Sequence, residues 1–137
     1  MSKIAILVTS GTYANMTTMS LLASGAIAND LETTLFFMED SVWALRKDAL
    51  GSDTSFHSAF PEVSEKYAAA QKEGKLVPWW ELVPDLKELG ELKVFACAQA
   101  LDVLGLEESD LADFVDEIAG VTMFLETVDQ VDKVISI

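Results

Sequence analysis

The side chain best suited to covalent chemistry in this sequence is the thiol of Cys97, the only cysteine in 137 residues. Cys97 directly follows an aliphatic run and precedes a stretch of helical character. A thiol at the start of a helix lies near unpaired backbone N–H groups, which favour the nucleophilic thiolate. Three small neighbours leave room for a sulfur substituent: Ala96, Ala98 and Ala100. The alternative interpretation is a small, buried core residue, because free cysteine is often buried.

Two further polar segments follow predicted strands, as Cys97 does. Ser10-Gly11-Thr12 comes after the first aliphatic run, and Glu39-Asp40 comes after the second. In open parallel sheets, ligands bind beyond the carboxyl ends of the strands. We therefore expect a substrate pocket at that edge of the sheet, with Cys97 as its catalytic residue. The candidate pocket residues are Ser10, Gly11, Thr12, Glu39, Asp40 and Gln99.

The elements that must position these residues alternate between strands and helices. Short aliphatic runs predict five strands, at 4–8, 33–38, 75–77, 92–96 and 134–137. Such an alternation favours a single α/β domain over 1–137, with three layers and a five-stranded parallel sheet covered on both faces.

Helices are predicted between these strands from apolar spacing and from terminal residues. The first runs from about 13 to 29, with apolar residues at three- and four-residue steps: Tyr13, Met16, Met19, Ala23, Ala26 and Ile27. Others are expected near 42–46, from Pro61 to Gly74, over 84–89, over 98–104 with Gly105 ending it, and over 122–131. One more turn is expected near 110–114, and 48–60 is predicted to be a loop.

The charge balance excludes several kinds of partner. With 23 acidic and 9 basic residues, the chain has a formal net charge of -14. Nucleic acids and anionic membrane surfaces are expected to be repelled, because binding them needs a basic surface. The sequence contains no apolar run of signal-peptide or membrane-helix length, and one cysteine forms no internal disulfide. We therefore expect a cytoplasmic protein.

Other residues with chemical potential are weaker candidates. His57, the sole histidine, is far from Cys97 in sequence and is expected to be surface rather than catalytic. Without a His and Cys cluster, no metal site is expected. Trp79 and Trp80 are predicted either to cover the Cys97 edge, to lie in a subunit interface or to fill the core under a loop. The carboxylates of Glu107, Glu108 and Asp110 are expected on a solvated face, where a basic partner is the alternative.

The segment Thr9-Ser10-Gly11-Thr12 supports a second hypothesis of a different kind. Hydroxyl groups and a glycine between a strand and a helix are typical of loops that hold a phosphate, as in the FMN site of flavodoxins. Tyr13 and Ala14 stand where such loops carry more hydroxyls. An ordinary turn, with Thr12 as helix N-cap, is the favoured interpretation, and no cofactor is expected.

Three blocks of the sequence resemble the DsrE/DsrF-like proteins, whose YchN-type fold occurs in sulfur-relay subunits. They are the opening strand with Thr9-Ser10-Gly11, the segment 35–38 running into 42–47, and the segment 94–106 around Cys97. The second block is similar to the peroxiredoxin-like branch of the family. The resemblance covers most of the chain except about 48–84.

The resemblance implies a five-stranded parallel sheet, assembly into trimers or hexamers, and a persulfide-carrying cysteine at Cys97. We therefore expect a sulfur carrier, with sulfurtransferase-like activity, that receives sulfur from a donor protein and passes it to an acceptor. Homo-oligomers are also expected because the short chain is rich in apolar residues, including three tryptophans and a Met-rich first helix. The alternative is a non-catalytic subunit of a sulfur-metabolism complex in which Cys97 is inert.

Overall fold

The computed structural model describes residues 2–56 and 59–137. Its strands are β1 (Lys3–Val8), β2 (Glu32–Phe37), β3 (Leu92–Cys97), β4 (Glu117–Ala119) and β5 (Lys133–Ser136). Its helices are α1 (Tyr13–Ala28), α2 (Asp40–Ala44), α3 (Pro61–Lys72), α4 (Trp79–Leu89), α5 (Ala98–Leu104) and α6 (Val121–Val128), with a 3-10 turn at Glu108–Asp110.

All five strands are parallel and form one sheet in the order β4-β3-β2-β1-β5. Strands β1, β2, β3 and β4 lie side by side in the order in which they occur in the sequence. The chain then crosses back over the sheet through α6 and adds β5 on the far side of β1. The expected single-domain α/β fold with a five-stranded parallel sheet is confirmed.

The two faces of the sheet are covered to different extents. Side chains of α1, α2, α4 and α5 form the main core with alternate strand residues such as Ile6, Leu35 and Val94. On the opposite face, the short helix α6 packs Phe124 against Phe36 and Phe95 in a smaller core. The third layer is therefore a single helix of 8 residues.

Helix α1 forms where the apolar spacing predicts it. All six residues of the predicted stripe are buried. The Thr12 hydroxyl accepts a hydrogen bond from the backbone N–H of Asn15 at 3.3 Å, which caps the first turn. The interpretation of Thr12 as an ordinary N-cap is confirmed.

The strand predicted at 75–77 is wrong. The backbone N–H of Lys75 donates to the carbonyl of Ala70 at 2.8 Å, so this segment completes the end of α3 instead of pairing with a strand. Gly74 makes the turn possible with a φ of 77°, in the left-handed region that favours glycine. Helix α3 itself begins at Pro61, as predicted.

Helix α4 begins five residues earlier than the predicted start at Pro84. Trp79, Val83 and Leu86 are buried at helical spacing, so tertiary packing extends the helix through Pro84 towards its N-terminus. Helix α5 ends as expected, because Gly105 adopts a φ of 70° at its C-cap.

The sheet still has five strands because of β4, a strand that the sequence patterns do not predict. Strand β4 spans only 3 residues and pairs along its length with the end of β3, including Cys97 with Ala119. A segment this short carries too little apolar alternation to be distinguished from a loop. The predicted turn near 110–114 is instead the 3-10 turn at Glu108–Asp110.

Candidate functional site

The carboxyl ends of β1, β2 and β3 lie side by side, as the alternation of elements predicts. Phe37 pairs with Ala96, so Met38 and Cys97 follow on neighbouring strands. The hydroxyl of the buried Ser41 donates to the carbonyl of Val8 at 2.8 Å, which fixes the start of α2 against the end of β1. The three polar segments after these strands therefore converge on one edge of the sheet.

Cys97 is the last residue of β3 and the N-cap of α5. Its exposed fraction is 3%, and its side chain belongs to the smaller core together with Phe36, Phe95 and Ala119. The thiol is free, since no second cysteine exists. Cys97 is therefore a mostly buried residue, and any reaction partner must approach through a cavity.

Such a cavity, with a volume of about 290 Å³, lies over Cys97. Three of the predicted pocket residues, Glu39, Asp40 and Gln99, line it together with Cys97. The remaining wall is apolar and consists of Met38, Ala100, Val103, Leu104 and Val121. The structure thus brings Cys97 together with three of the six other candidates.

Glu39 occupies an unusual backbone conformation at this cavity. Its φ of 54° and ψ of -140° lie in a region that L-residues other than glycine rarely adopt. The strained residue makes the sharp turn from β2 into α2. Strain of this kind costs of order 1–3 kcal/mol and tends to cluster at functional sites.

The predicted pocket residues of the first loop lie elsewhere. Gly11 and Thr12 line a second cavity of about 320 Å³, which also contains Trp43, Arg46 and Trp79. Asp40 lines both cavities. Ser10 lines neither of these two cavities, and its hydroxyl lies 3.5 Å from that of Thr12. The single pocket expected from the sequence is divided in two at the start of α2.

The first loop is poorly suited to hold a phosphate. The backbone N–H of Gly11, which an anion would need, already donates to Oδ1 of Asp40 at 2.8 Å. A carboxylate at that position repels a phosphate. The backbone of α2 also lies close to Gly11, since a Cβ there would stand 2.6 Å from the Asp40 carbonyl oxygen. The geometry disfavours the flavodoxin-like hypothesis.

The two adjacent tryptophans belong to the other side of the sheet from Cys97. Trp79 is buried in the main core, and the Trp80 ring lies 6.4 Å from that of Tyr13. Neither lines the Cys97 cavity, so the lid hypothesis is wrong. Trp79 lies in the main core and Trp80 packs against it, as the interpretation as core under a loop predicts, and the subunit-interface alternative stays a prediction. His57 lies outside the described residues.

Sequence reasoning missed the apolar residues at the mouth of the cavity. Val103 lies on α5 and is 77% exposed, and Val121 begins α6 and is 41% exposed. Val121 reaches the cavity only because α6 starts directly after β4, the neighbour of β3. The signal that the sequence offers for Val103 is its place in the helix predicted at 98–104, directly after Cys97.

The described residues also bear on metal and membrane binding. No group of three or more metal-ligating side chains is found within 2–56 and 59–137. In the same part of the chain, no helix combines the length and apolar character needed to cross a membrane.

The chain is an α/β protein with a parallel sheet in the order β4-β3-β2-β1-β5 and a cysteine at the carboxyl end of β3. The sequence model of the DsrE/DsrF-like family matches residues 2–137, so the chain belongs to this family. The resemblance to the DsrE/DsrF-like family noted in the sequence is thereby confirmed.

Individual proteins are similar to the chain in sequence or in fold. The chain is 28% identical to the uncharacterized protein YrkE of Bacillus subtilis, over 88% of this chain and 87% of that protein. Its fold is similar to the YchN protein of E. coli, with a TM-score of 0.63, 19% identity and full coverage of both chains. It is also similar to MTH1491 of Methanobacterium thermoautotrophicum, a protein of unknown function, with a TM-score of 0.62, 13% identity and full coverage of both chains.

Proposed function

We propose that the protein is a sulfur carrier that holds a persulfide on Cys97 and passes the outer sulfur to a partner. The observation that carries the proposal is the cavity of about 290 Å³ over Cys97 at the carboxyl edge of the sheet. A purely structural cysteine needs no such cavity. Membership in the DsrE/DsrF-like family supports the same chemistry.

The transfer step balances without an external oxidant. The Cys97 thiolate attacks the outer sulfur of a donor persulfide, R–S–SH. The donor S–S bond breaks, a new S–S bond forms at Cys97 Sγ, and R–S⁻ leaves as a thiolate. Because the chain has no second cysteine, no internal thiol competes for the bound sulfur, which must leave to another molecule. Such a relay would operate in the cytoplasm, where thiols are kept reduced.

The direct test is mass spectrometry of the intact protein after incubation with a persulfide donor. Wild type is expected to gain the mass of one sulfur atom, which a reductant removes. Cys97→Ser and Cys97→Ala are expected to gain none. Ala98→Ser is the matched control, since it places a hydroxyl on the exposed neighbour and leaves the thiol unchanged.

Reaction with iodoacetamide under native conditions separates this proposal from the inert-subunit alternative. A carrier thiol should be alkylated through the cavity, whereas a core thiol should react only on unfolding. The proposal fails if iodoacetamide labels the native thiol but the persulfide donor leaves it unmodified.

We further propose that the protein works as a homo-oligomer, a trimer or a hexamer. Several of the methionines and tryptophans that suggested such assembly are buried within the chain, among them Met16, Met19 and Trp79. A different set of apolar residues is exposed, on α6 and β5, and it supports the proposal: Val121, Leu125 and Val134. Exposed apolar surface of this kind is commonly covered between subunits.

A further inference from the structure

The charges around the Cys97 cavity have one sign. Glu39 and Asp40 both line the cavity, and both are exposed. None of its lining residues, all within the described chain, is a lysine, arginine or histidine. The nearby guanidinium of Arg46 lines the other cavity, where it stacks on the Trp43 ring at 3.7 Å. Any sulfur donor entering the cavity therefore meets two carboxylates without a compensating cation in the wall.

The remaining residues at the cavity are mostly apolar, and they strengthen the electrostatic effect of the two carboxylates. Exposed valines stand on two sides of the cavity, Val103 from α5 and Val121 from α6. Apolar walls lower the local dielectric constant, and a lower dielectric constant increases the interaction of a charge with the carboxylates. Cys97 is buried, whereas Glu39 and Asp40 are exposed and line the same cavity, so a donor that reaches the thiol passes close to these two residues.

From this arrangement we infer that Glu39 and Asp40 select the sulfur donor by charge. They exclude small anionic sulfur compounds from Cys97 and admit a persulfide whose surroundings are positively charged. The inference rests on the proposed function, because it names the class of donor for the same thiol. Inorganic sulfur oxyanions would therefore be poor direct donors, and a partner with basic residues around its persulfide would be a good one.

Two thiol reagents of opposite charge test the selection. Methanethiosulfonates carrying a trimethylammonium-ethyl or a sulfonato-ethyl group react with a thiolate in the same way, forming a mixed disulfide and releasing methanesulfinate. The ratio of their second-order rate constants, cation over anion, reports the field at the thiol. A small thiol in the same buffer gives the reference ratio.

Wild-type protein is expected to exceed the reference ratio by roughly tenfold or more at low salt. The excess should shrink as added salt screens the charges. In the double variant Glu39→Gln/Asp40→Asn the ratio should fall most of the way to the reference. The introduced asparagine retains a side-chain oxygen that can accept the Gly11 hydrogen bond, so the loop geometry is kept.

A matched control separates local from overall charge. Glu81→Gln/Asp85→Asn removes one glutamate and one aspartate charge from exposed positions on α4, a helix that contributes no residue to the lining of the Cys97 cavity. This variant has the same net charge as the cavity variant, and its rate ratio should stay close to that of wild type.

The outcomes distinguish the two proposals. Equal effects of the two double variants, or a wild-type ratio at the reference value, would overturn the charge selection. A clear charge preference without persulfide formation would overturn only the proposed carrier function. A native thiol that reacts with neither reagent would overturn both, since no donor could then reach Cys97.

Discussion

At the residue scale, the conformation of Glu39 is the most unusual feature near the proposed thiol site. Its backbone makes the turn that places Met38 and the start of α2 beside Cys97. No residue type in the sequence indicates this, because glutamate has no preference for positive φ. The strain results from the relative positions of β2 and α2, which Glu39 connects.

We predict that Glu39→Gly stabilises the fold. Glycine adopts this φ without strain, and the relief should outweigh the greater flexibility of glycine in the unfolded chain, giving a gain of about 1 kcal/mol. The free energy of unfolding from urea titration measures the effect. Glu65→Gly, at an exposed position inside α3, should instead destabilise the protein by about 1 kcal/mol. Destabilisation by Glu39→Gly would show that the turn is not strained.

At the element scale, Tyr13 connects α1 to the helices that follow β2. Its hydroxyl donates to Oε1 of Gln71 on α3 at 2.9 Å. Its ring meets that of Phe56 edge-on, with ring centres 5.3 Å apart, and it also lies near Trp80 on α4. Burial raises the pKa of the Tyr13 phenol above its ordinary value of 10.0, because the charged form is poorly solvated there.

Tyr13→Phe is therefore predicted to have a pH-dependent effect on stability. At neutral pH the variant loses one hydrogen bond, which should cost about 1 kcal/mol. A raised pKa means that the Tyr13 phenol stays protonated to a higher pH in the native state than in the unfolded state. The stability contributed by the neutral phenol is then complete below the unfolded pKa of about 10 and is lost as the pH rises through the native pKa.

Urea titrations at several pH values check this prediction. The stability advantage of wild type over Tyr13→Phe should narrow as the pH rises above about 10. Tyr67→Phe leaves the Tyr13 phenol in place, so this variant should still lose stability at alkaline pH as wild type does. A constant difference between wild type and Tyr13→Phe at all pH values would contradict the assignment.

At the scale of the whole molecule, the unequal covering of the sheet is the main determinant of how copies could associate. Among the described residues, α1, α2, α4 and α5 contribute to the core on one face, and α6 is the one helix in the core on the other. The outward side of α6 presents Leu125, which is 57% exposed. The thin third layer therefore leaves apolar surface close to the Cys97 cavity.

We predict a trimer or hexamer in solution, and we expect Leu125→Glu to dissociate it, because the new charge would be buried in the contact. Light scattering at micromolar concentration measures the mass of both proteins. Leu89→Glu is the matched control, since Leu89 is equally apolar, is exposed on α4 and lies on the opposite layer. A wild-type monomer would refute the prediction outright.

The sequence by itself determined the class of fold and the location of the thiol. Aliphatic runs such as 4–8 and 92–96 are too short and too uniform for helices, and they alternate with amphipathic segments, so a parallel sheet follows. The carboxyl ends of parallel strands share one edge, and this placed Cys97 near Glu39 and Asp40 correctly. These inferences depend only on local patterns and on a general rule of topology.

Tertiary structure alone decided which candidates share a cavity. The Asp40 carboxylate accepts a hydrogen bond from the N–H of Gly11, and Asp40 lies between the first loop and the thiol. This hydrogen bond joins residues 29 positions apart in the sequence. Strand β4 forms because the edge of β3 is available for pairing. The segment 75–77 ends α3 because the backbone N–H groups of Lys75 and Leu76 donate hydrogen bonds to the carbonyl of Ala70. Val121 closes the cavity from a crossover that traverses the whole sheet. Contacts between distant segments set the division of the cavity, the pairing of β4 and the position of Val121, and local sequence patterns do not encode them. The turn at 75–77 is different, because its hydrogen-bond partner Ala70 is close in sequence.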